Sequence, residues 1–442
     1  MQEHYDFIIL GTGLKECLLS GLLSVHGKKV LHMDRNDYYG GASASLTLEQ
    51  LFEQQGKGEA PPAELGRSRE WSIDIVPKYL LAGGRLVKAL THTNVTRYLD
   101  FMSVQGSYVT RKGKVRKVPA TAGEALKSSL MGPFEKRRMA KFLEFVRDFD
   151  PEKPETAKGL DLKAQPMSEV WAKFKLEPDT VDFLGHAMGL YLTDEYLERP
   201  GIECVDRIRL YVESLARFGN SPYIYPQYGI GDLPQAFARL SAIYGGVYMM
   251  RKPIEEILFN EDGTVRGIKS EGEEATCDVL IGDPSYFSDY VEATEKIVRA
   301  ICILQTPIAG TTGSAQIIMP QKQLGRKNDV YVTAQTHDLM TVAKNYLLGF
   351  ASTTVETENP EAELQPAFDL MGPILHKFVT VSDYLVPVKE KLAGKKIYVT
   401  SSYDATSHFE TTIDDVIKIY EEVSGEVLDL DAKIAQPGVD QE

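Results

Sequence analysis

Cysteine is scarce in this 442-residue sequence. Cys17, Cys204, Cys277 and Cys302 form no C-x-x-C pair and no Cys/His cluster. That argues against a zinc site or a disulfide framework and fits reduced thiols. Positive charge is also in deficit, with 49 Lys and Arg against 63 Asp and Glu and a formal net charge of −14. A general nucleic-acid or anionic-membrane binder is disfavoured, because both need a cationic face. No apolar run approaches the roughly 18 residues of a membrane helix. Glu3 and Asp6 stand where a secretory signal would be basic, and the terminal Val439–Asp440–Gln441–Glu442 has no prenylation cysteine. A cytosolic protein without its own anchor is expected. Also missing are the G-x-S-x-G elbow, H-E-x-x-H, the phosphate-binding G-x-x-x-x-G-K-[ST] loop and an EF-hand loop. The eight histidines are scattered and read as surface or hydrogen-bonded structural residues.

What is present begins at Phe7–Ile8–Ile9–Leu10–Gly11–Thr12–Gly13–Leu14–Lys15–Glu16–Cys17–Leu18, which reads as a buried strand, a glycine turn and a helix start. Leu14, Cys17, Leu18, Gly21, Leu22 and Val25 continue with helical spacing, and Gly27 closes the helix. Lys29–Met33 is a second, parallel strand ending at Asp34, where dinucleotide-binding folds place an acid on a ribose hydroxyl. The glycine motif is degenerate, however, because Glu16 occupies the sixth position, where a small residue belongs. As a carboxylate it would complement the helix dipole, repel a phosphate and hold helix and strand apart. A flavoprotein of this topology also needs a distal glycine-rich segment. The matching stretch, Ile397 to Glu410, contains no glycine and offers Tyr403, His408 and Phe409 instead. Gly11, Gly13, Glu16 and Asp34 thus form a degenerate motif, the distal stretch is a second and independent departure from the flavoprotein pattern, and no cofactor is expected.

The elements that follow predict an α/β fold of more than one domain, a Rossmann-like FAD/NAD(P)-binding architecture resembling flavoprotein monooxygenases and oxidases. It should carry an antiparallel second sheet and an inserted small all-helical domain. Ser72–Pro77 reads as a strand and Tyr108–Val118 as a hairpin around Lys112–Gly113. Helices are expected over 121–131, 134–149, 167–174, 180–188 and 203–218. The α/β pattern then returns: a helix over 232–241, a strand over 246–250 and a hairpin across Asp262–Gly263. Strands are expected over 277–282, 298–305, 315–319, 330–335, 346–354 and 396–400, and a closing helix over 413–423. Domain I would be 1–119 with 219–442, and domain II would be 120–218. The basic runs Arg111–Lys117 and Lys136–Arg138 read as solvated surface or as binding patches. Arg35, Tyr38 and Tyr39 lie in a glycine-held loop, and Gln235 and Arg239 share a helical face that could lie beside it. Arg and Tyr together favour a protein-binding hot spot.

Several long motifs resemble the Rab GDP-dissociation inhibitors. They are Asp34–Arg35–Asn36 with Tyr38–Tyr39–Gly40–Gly41, Ser128–Gly132 with Glu135–Arg138, Ala238–Gly246, Ser352–Thr357 and Tyr403–Thr411. The similarity runs nearly end to end. Rab escort proteins share the fold but are longer. The resemblance implies a flavoprotein-like domain I without flavin, which is no enzyme. Its binding platform for GDP-bound Rab would be Arg35, Tyr39, Asp232, Gln235, Arg239, Val247 and Met249. The family pattern has glutamate in place of Asp232 and threonine in place of Val247, so a weakened contact or a changed Rab preference is expected there. The loop Arg217–Phe218–Gly219–Asn220–Ser221–Pro222–Tyr223 would be the mobile loop implicated in membrane recruitment through a further factor. Domain II would hold the geranylgeranyl group, whose membrane anchorage amounts to about 15 kcal/mol at most. Leu126, Leu130, Phe134, Phe142, Phe145, Val205, Ile208 and Val212 mark the candidate pocket region, although packing is the expected role of any single one. The implied assembly is a monomer in a 1:1 complex with prenylated Rab, without nucleic acid. An FAD-dependent oxidoreductase of the same fold is the alternative.

Overall fold

In the computed structural model, residues 4–56, 58–119, 131–432 and 434 are described. The predicted opening is present as the strand His4–Leu10, the helix Leu14–Val25 and the strand Val30–Met33. Its two strands are parallel, with Phe7 opposite Val30 and Leu10 opposite Met33. Gly11 adopts φ +93°, a left-handed conformation that strains any other residue. Parallel strands then run in the order Val247–Met249, Val30–Met33, His4–Leu10, Glu273–Gly282 and Ile397–Val399. This is the 3-2-1-4-5 order of dinucleotide folds. The expected hairpin, Glu256–Phe259 with Val265–Ser270, pairs antiparallel onto the start of Glu273–Gly282.

Every residue of the helix Leu14–Val25 is buried, because it is packed under the sheet by the helices Asp232–Ile243 and Glu410–Ser424. The close approach depends on Gly21, where a Cβ would strike the ring of Phe237. Polar residues on the buried helix pair internally: Ser24 and Ser20 meet Ser241 at 2.7 and 3.1 Å.

The second sheet orders Ile374–Pro387, Val291–Leu304, Leu347–Thr354, Val330–Gln335, Ala315–Met319, Gly106–Arg111 and Lys114–Lys117. It is antiparallel, as expected, except where Ala315–Met319 runs parallel to Gly106–Arg111. The strand Ile374–Pro387 goes beyond the sequence reading; it is an edge strand whose outward Lys377, Thr380, Ser382 and Asp383 break the apolar alternation. Ser72–Pro77 shortens to a two-residue strand, Ile73–Asp74.

The helical region contains Pro133–Asp148, Met167–Phe174, Pro178–Asp182 and Gly201–Phe218. The helix expected over 180–188 becomes a short α-helix followed by a π-helical turn, Phe183–Met188. The helix expected over 121–131 lies outside the described residues, save Met131. Phe142 is the hub of the core, with Trp171 and Phe174 rings at 4.7 and 5.2 Å. An ionic seam joins this region to the second sheet. His186 is buried between Asp329 at 2.9 Å and Asp194 at 3.1 Å, and Lys322 pairs with Asp182 at 2.6 Å. Burial alone would lower the His186 pKa, but the two carboxylates outweigh it and raise it to about 10. Among the described residues no helix is long and apolar enough to cross a membrane.

Candidate functional site

The glycine turn is filled by the protein itself. A Cβ on Gly13 would collide with Glu16 Oε2, and the Tyr403 hydroxyl lies 3.8 Å from the same point. The loop after the second strand closes over the helix start: the Gly40 N–H donates to Thr12 O at 2.9 Å, and the Leu14 N–H donates to Ser43 Oγ at 3.3 Å. Asp34 is equally engaged. Its carboxylate accepts from the Thr12 N–H (2.7 Å), Thr12 Oγ1 (2.6 Å), the Asn36 N–H (2.8 Å) and the Tyr286 hydroxyl (3.1 Å). Those four bonds occupy about all that a carboxylate can accept. The residues present do not fit a dinucleotide pyrophosphate and ribose.

Two expectations are corrected here. Glu16 is only 2% exposed, and burial, reinforced by the charge of Asp283, pushes its carboxyl up to about 8. At neutral pH it is protonated, so it blocks the turn by volume and not by repelling phosphate. Nor are the two departures from the flavoprotein pattern independent, because the Thr400 hydroxyl donates to Glu16 Oε1 at 2.6 Å. Of the three bulky distal residues only Tyr403 reaches the turn. His408 and Phe409 pair with the Tyr79 backbone in the core, and both His408 ring nitrogens lack a partner. Burial lowers the His408 pKa to about 3. His32, His186 and His408 are all buried, so burial is commoner among the histidines than the sequence suggested.

The seven predicted platform residues gather around the free edge of the parallel sheet but divide between its faces. Arg35 is exposed, with its guanidinium stacked 3.9 Å from the centre of the Tyr286 ring and bonded to Ser285 Oγ at 2.5 Å. Val247 and Met249 alternate along the edge strand and pack on the same face as Tyr286. On the other face, half-buried Tyr39 lies 6.2 Å from Tyr248, and the helix Asp232–Ile243 presents Asp232, Gln235 and Arg239. Gln235 Nε2 donates to Gly231 O at 3.3 Å, and the Arg239 guanidinium lies 4.4 Å from the centre of the Tyr98 ring. Burial raises the pKa of Asp232 at the helix start. That start is clamped from below by Asp74, which accepts from the Ile230 N–H at 3.0 Å, from Ser45 Oγ at 2.5 Å and from the Tyr225 hydroxyl. Burial raises Asp74 to about 6 despite those bonds.

Sequence reasoning missed Tyr286, Ser285, Tyr98 and Asp74. Only the first two had a local signal: Asp283–Pro284 caps a short 3-10 helix, Asp283 accepting from the Ser285 N–H at 2.8 Å.

The other candidates fare unevenly. In the loop 217–223, Arg217 to Asn220 are exposed, but Ser221, Pro222 and Tyr223 are buried. Ser221 Oγ donates to Val104 O at 2.7 Å, and Tyr223 opens the strand Tyr223–Pro226. Only the first four can meet a membrane-bound partner in this arrangement. Phe142, Phe145, Val205 and Ile208 are packed core, Val212 is half-buried, and Phe134 is 80% exposed. Close packing of the helices leaves Phe142, Phe145, Val205 and Ile208 fully enclosed. Leu126 and Leu130 lie outside the described residues. Among the described residues no group of three His, Cys, Asp or Glu could hold a metal ion.

Residues 1–435 match the family described as GDP dissociation inhibitor. The chain is 54% identical to Rab GDP dissociation inhibitor beta of dog and 53% identical to that of rat, in each case over 98% of this chain and 97% of the relative. A crystal structure of Rab GDI from Plasmodium falciparum superposes with a TM-score of 0.92 at 45% identity, covering 97% of this chain and 100% of that one. An oxidoreductase from Methanosarcina mazei shares the fold alone, with a TM-score of 0.59 at 15% identity over 95% of this chain and 100% of its own. The chain belongs to the GDP dissociation inhibitor family.

Proposed function

We propose that this chain is a non-enzymatic carrier that binds GDP-bound, geranylgeranylated Rab GTPases, inhibits GDP release and shuttles them between membranes and cytosol. The observation that carries the reading is the pair of ring-braced arginines at the sheet edge, Arg35 on Tyr286 and Arg239 on Tyr98. Arginines already braced on a ring lose little freedom on docking, which suits a hot spot. Preference for the GDP state needs only tighter binding to one switch conformation of the partner. Domain I, residues 1–119 with 219–442, supplies the platform, and domain II, residues 120–218, holds the lipid. Because Phe142, Phe145, Val205 and Ile208 are close-packed, lipid entry requires the helices to separate, at the cost of their mutual contacts and to the gain of lipid burial. Recruitment to the membrane uses the exposed part of the loop, Arg217 to Asn220, and a further factor.

Membrane extraction of prenylated Rab, loaded with GDP or GTP and measured side by side, tests this. GDP-loaded Rab should be extracted, and Arg239→Ala should slow extraction without altering the fold. Equal extraction of both nucleotide states, or full activity of Arg239→Ala, would overturn the reading. A stoichiometric flavin band in the absorption spectrum would favour the oxidoreductase instead.

A further inference from the structure

The acidic chain carries a concentrated cationic feature. Five of the seven residues in Arg111–Lys112–Gly113–Lys114–Val115–Arg116–Lys117 are basic and none is acidic. They form the hairpin Gly106–Arg111 and Lys114–Lys117, with Lys112 and Gly113 at the tip in left-handed conformations. Arg111 is engaged by Asp179 at 2.7 Å, whereas Lys112, Lys114 and Arg116 have no carboxylate partner among the described residues. The fold brings Met131 and Gly132 against this hairpin, so that Arg111, Lys112, Lys114 and Arg116 share with them an open cleft of about 350 Å³ whose lining, among the described residues, includes no acid. Two residues beyond Gly132, at the start of the helix Pro133–Asp148, the Phe134 side chain is 80% exposed. Arg137, exposed and unpaired among the described residues, follows one helical turn later on the same side.

A phenyl ring held in water costs free energy that burial would recover. A cluster of unpaired cations beside it favours an anionic surface and not merely an apolar one. Together they match the composition of an interfacial membrane contact, where basic residues meet headgroups and an aromatic enters the acyl boundary. We propose that this hairpin and the start of the Pro133–Asp148 helix form a direct contact site for anionic membrane lipid, with Lys112, Lys114, Arg116 and Arg137 on the headgroups and Phe134 inserted. The net charge of −14 does not oppose it. Charges farther away than the Debye length of about 8 Å are largely screened at physiological salt, and nearby Asp179 is already paired with Arg111, so the local patch decides the orientation. An acidic protein partner would use the cations but leave Phe134 unexplained. The site stands apart from the platform and is tested without Rab.

The full chain is mixed with vesicles of phosphatidylcholine alone or with added phosphatidylserine, and bound protein is separated by flotation. Binding should need phosphatidylserine and weaken with salt. Lys112→Ala with Lys114→Ala should weaken it about thirtyfold, at roughly fivefold per lysine near an anionic surface. Both side chains are exposed, so the fold should be unaffected, and an unchanged thermal midpoint checks this. Phe134→Trp gives a second readout, since the native Trp71 and Trp171 are buried. Its emission should shift to the blue on phosphatidylserine vesicles only. No phosphatidylserine dependence, unaltered binding by the lysine variant, or an unshifted Phe134→Trp emission on bound vesicles would overturn the proposal. So would binding of an acidic peptide such as polyglutamate where vesicles do not bind.

Discussion

Glu16→Gln is the most informative single change, because Glu16 is a buried acid whose side chain accepts from the Thr400 hydroxyl. Its pKa in the folded chain is about 8 against an ordinary 4.5, raised first by burial and then by Asp283. A proton that the folded state holds more tightly than the unfolded state stabilises the fold at low pH. The contribution is fully present below pH 4.5 and is lost as pH rises through about 8. At about 1.4 kcal/mol per pH unit, ionising this group removes about 4–5 kcal/mol of stability above pH 8 and about 3 kcal/mol at pH 7, relative to pH below 4.5. Glutamine keeps the shape and an acceptor for Thr400 but does not titrate. Denaturant unfolding of both proteins at pH 5, 6, 7 and 8 should therefore show the native chain losing about 3–4 kcal/mol relative to Glu16→Gln across that range. Above pH 7 the variant should be the more stable protein. Unfolding curves that keep a constant separation from pH 5 to pH 8 would refute the protonated plug and restore a charged Glu16.

His186 gives the ionic seam a pH dependence of the same sign at higher pH. With its pKa raised to about 10 from 6.5, its stabilisation is fully present below pH 6.5 and lost as pH rises through about 10. His186→Gln should therefore cost about 3–5 kcal/mol near pH 7, as expected for one partner removed from a buried ion pair, and the gap in thermal midpoint should narrow towards pH 10. Asp74→Ala leaves the Ile230 N–H and the Ser45 and Tyr225 hydroxyls without their acceptor. It should cost about 2–4 kcal/mol in urea unfolding and weaken Rab binding through the loosened helix start. Tyr98→Ala removes the ring under Arg239. Rab affinity, measured by titration calorimetry, should fall by about 0.5–1 kcal/mol, less than for Arg239→Ala.

The strand–turn–helix opening was legible because its determinants are local. Apolar runs set the strand and helix, and Gly11 alone can hold φ +93°. The same holds for the hairpins at Lys112–Gly113 and Asp262–Gly263 and for the helix Asp232–Ile243, whose periodicity marks Gln235 and Arg239 as one face. The long edge strand Ile374–Pro387 was not legible, since a strand paired on one side need not alternate. The proposed platform was half visible: the arginines and Tyr39 could be named, but the rings that brace the arginines come from Tyr98 and Tyr286 in unrelated segments.

By itself, then, the sequence determined the parallel α/β framework, the degeneracy of its glycine motif and the residues that mark the family. Tertiary structure decided the state of those residues. Glu16 looks like an anion at a helix start, yet burial beneath segments distant in the chain, reinforced by the charge of Asp283, keeps its proton against the opposing hydrogen bond from Thr400. Phe134 looks like one more core aromatic, yet only Phe142 and Phe145 face Trp171 and Phe174, and Phe134 is left in water beside the basic hairpin. Burial and proximity between distant segments set charge, pKa and exposure, and no local pattern encodes them.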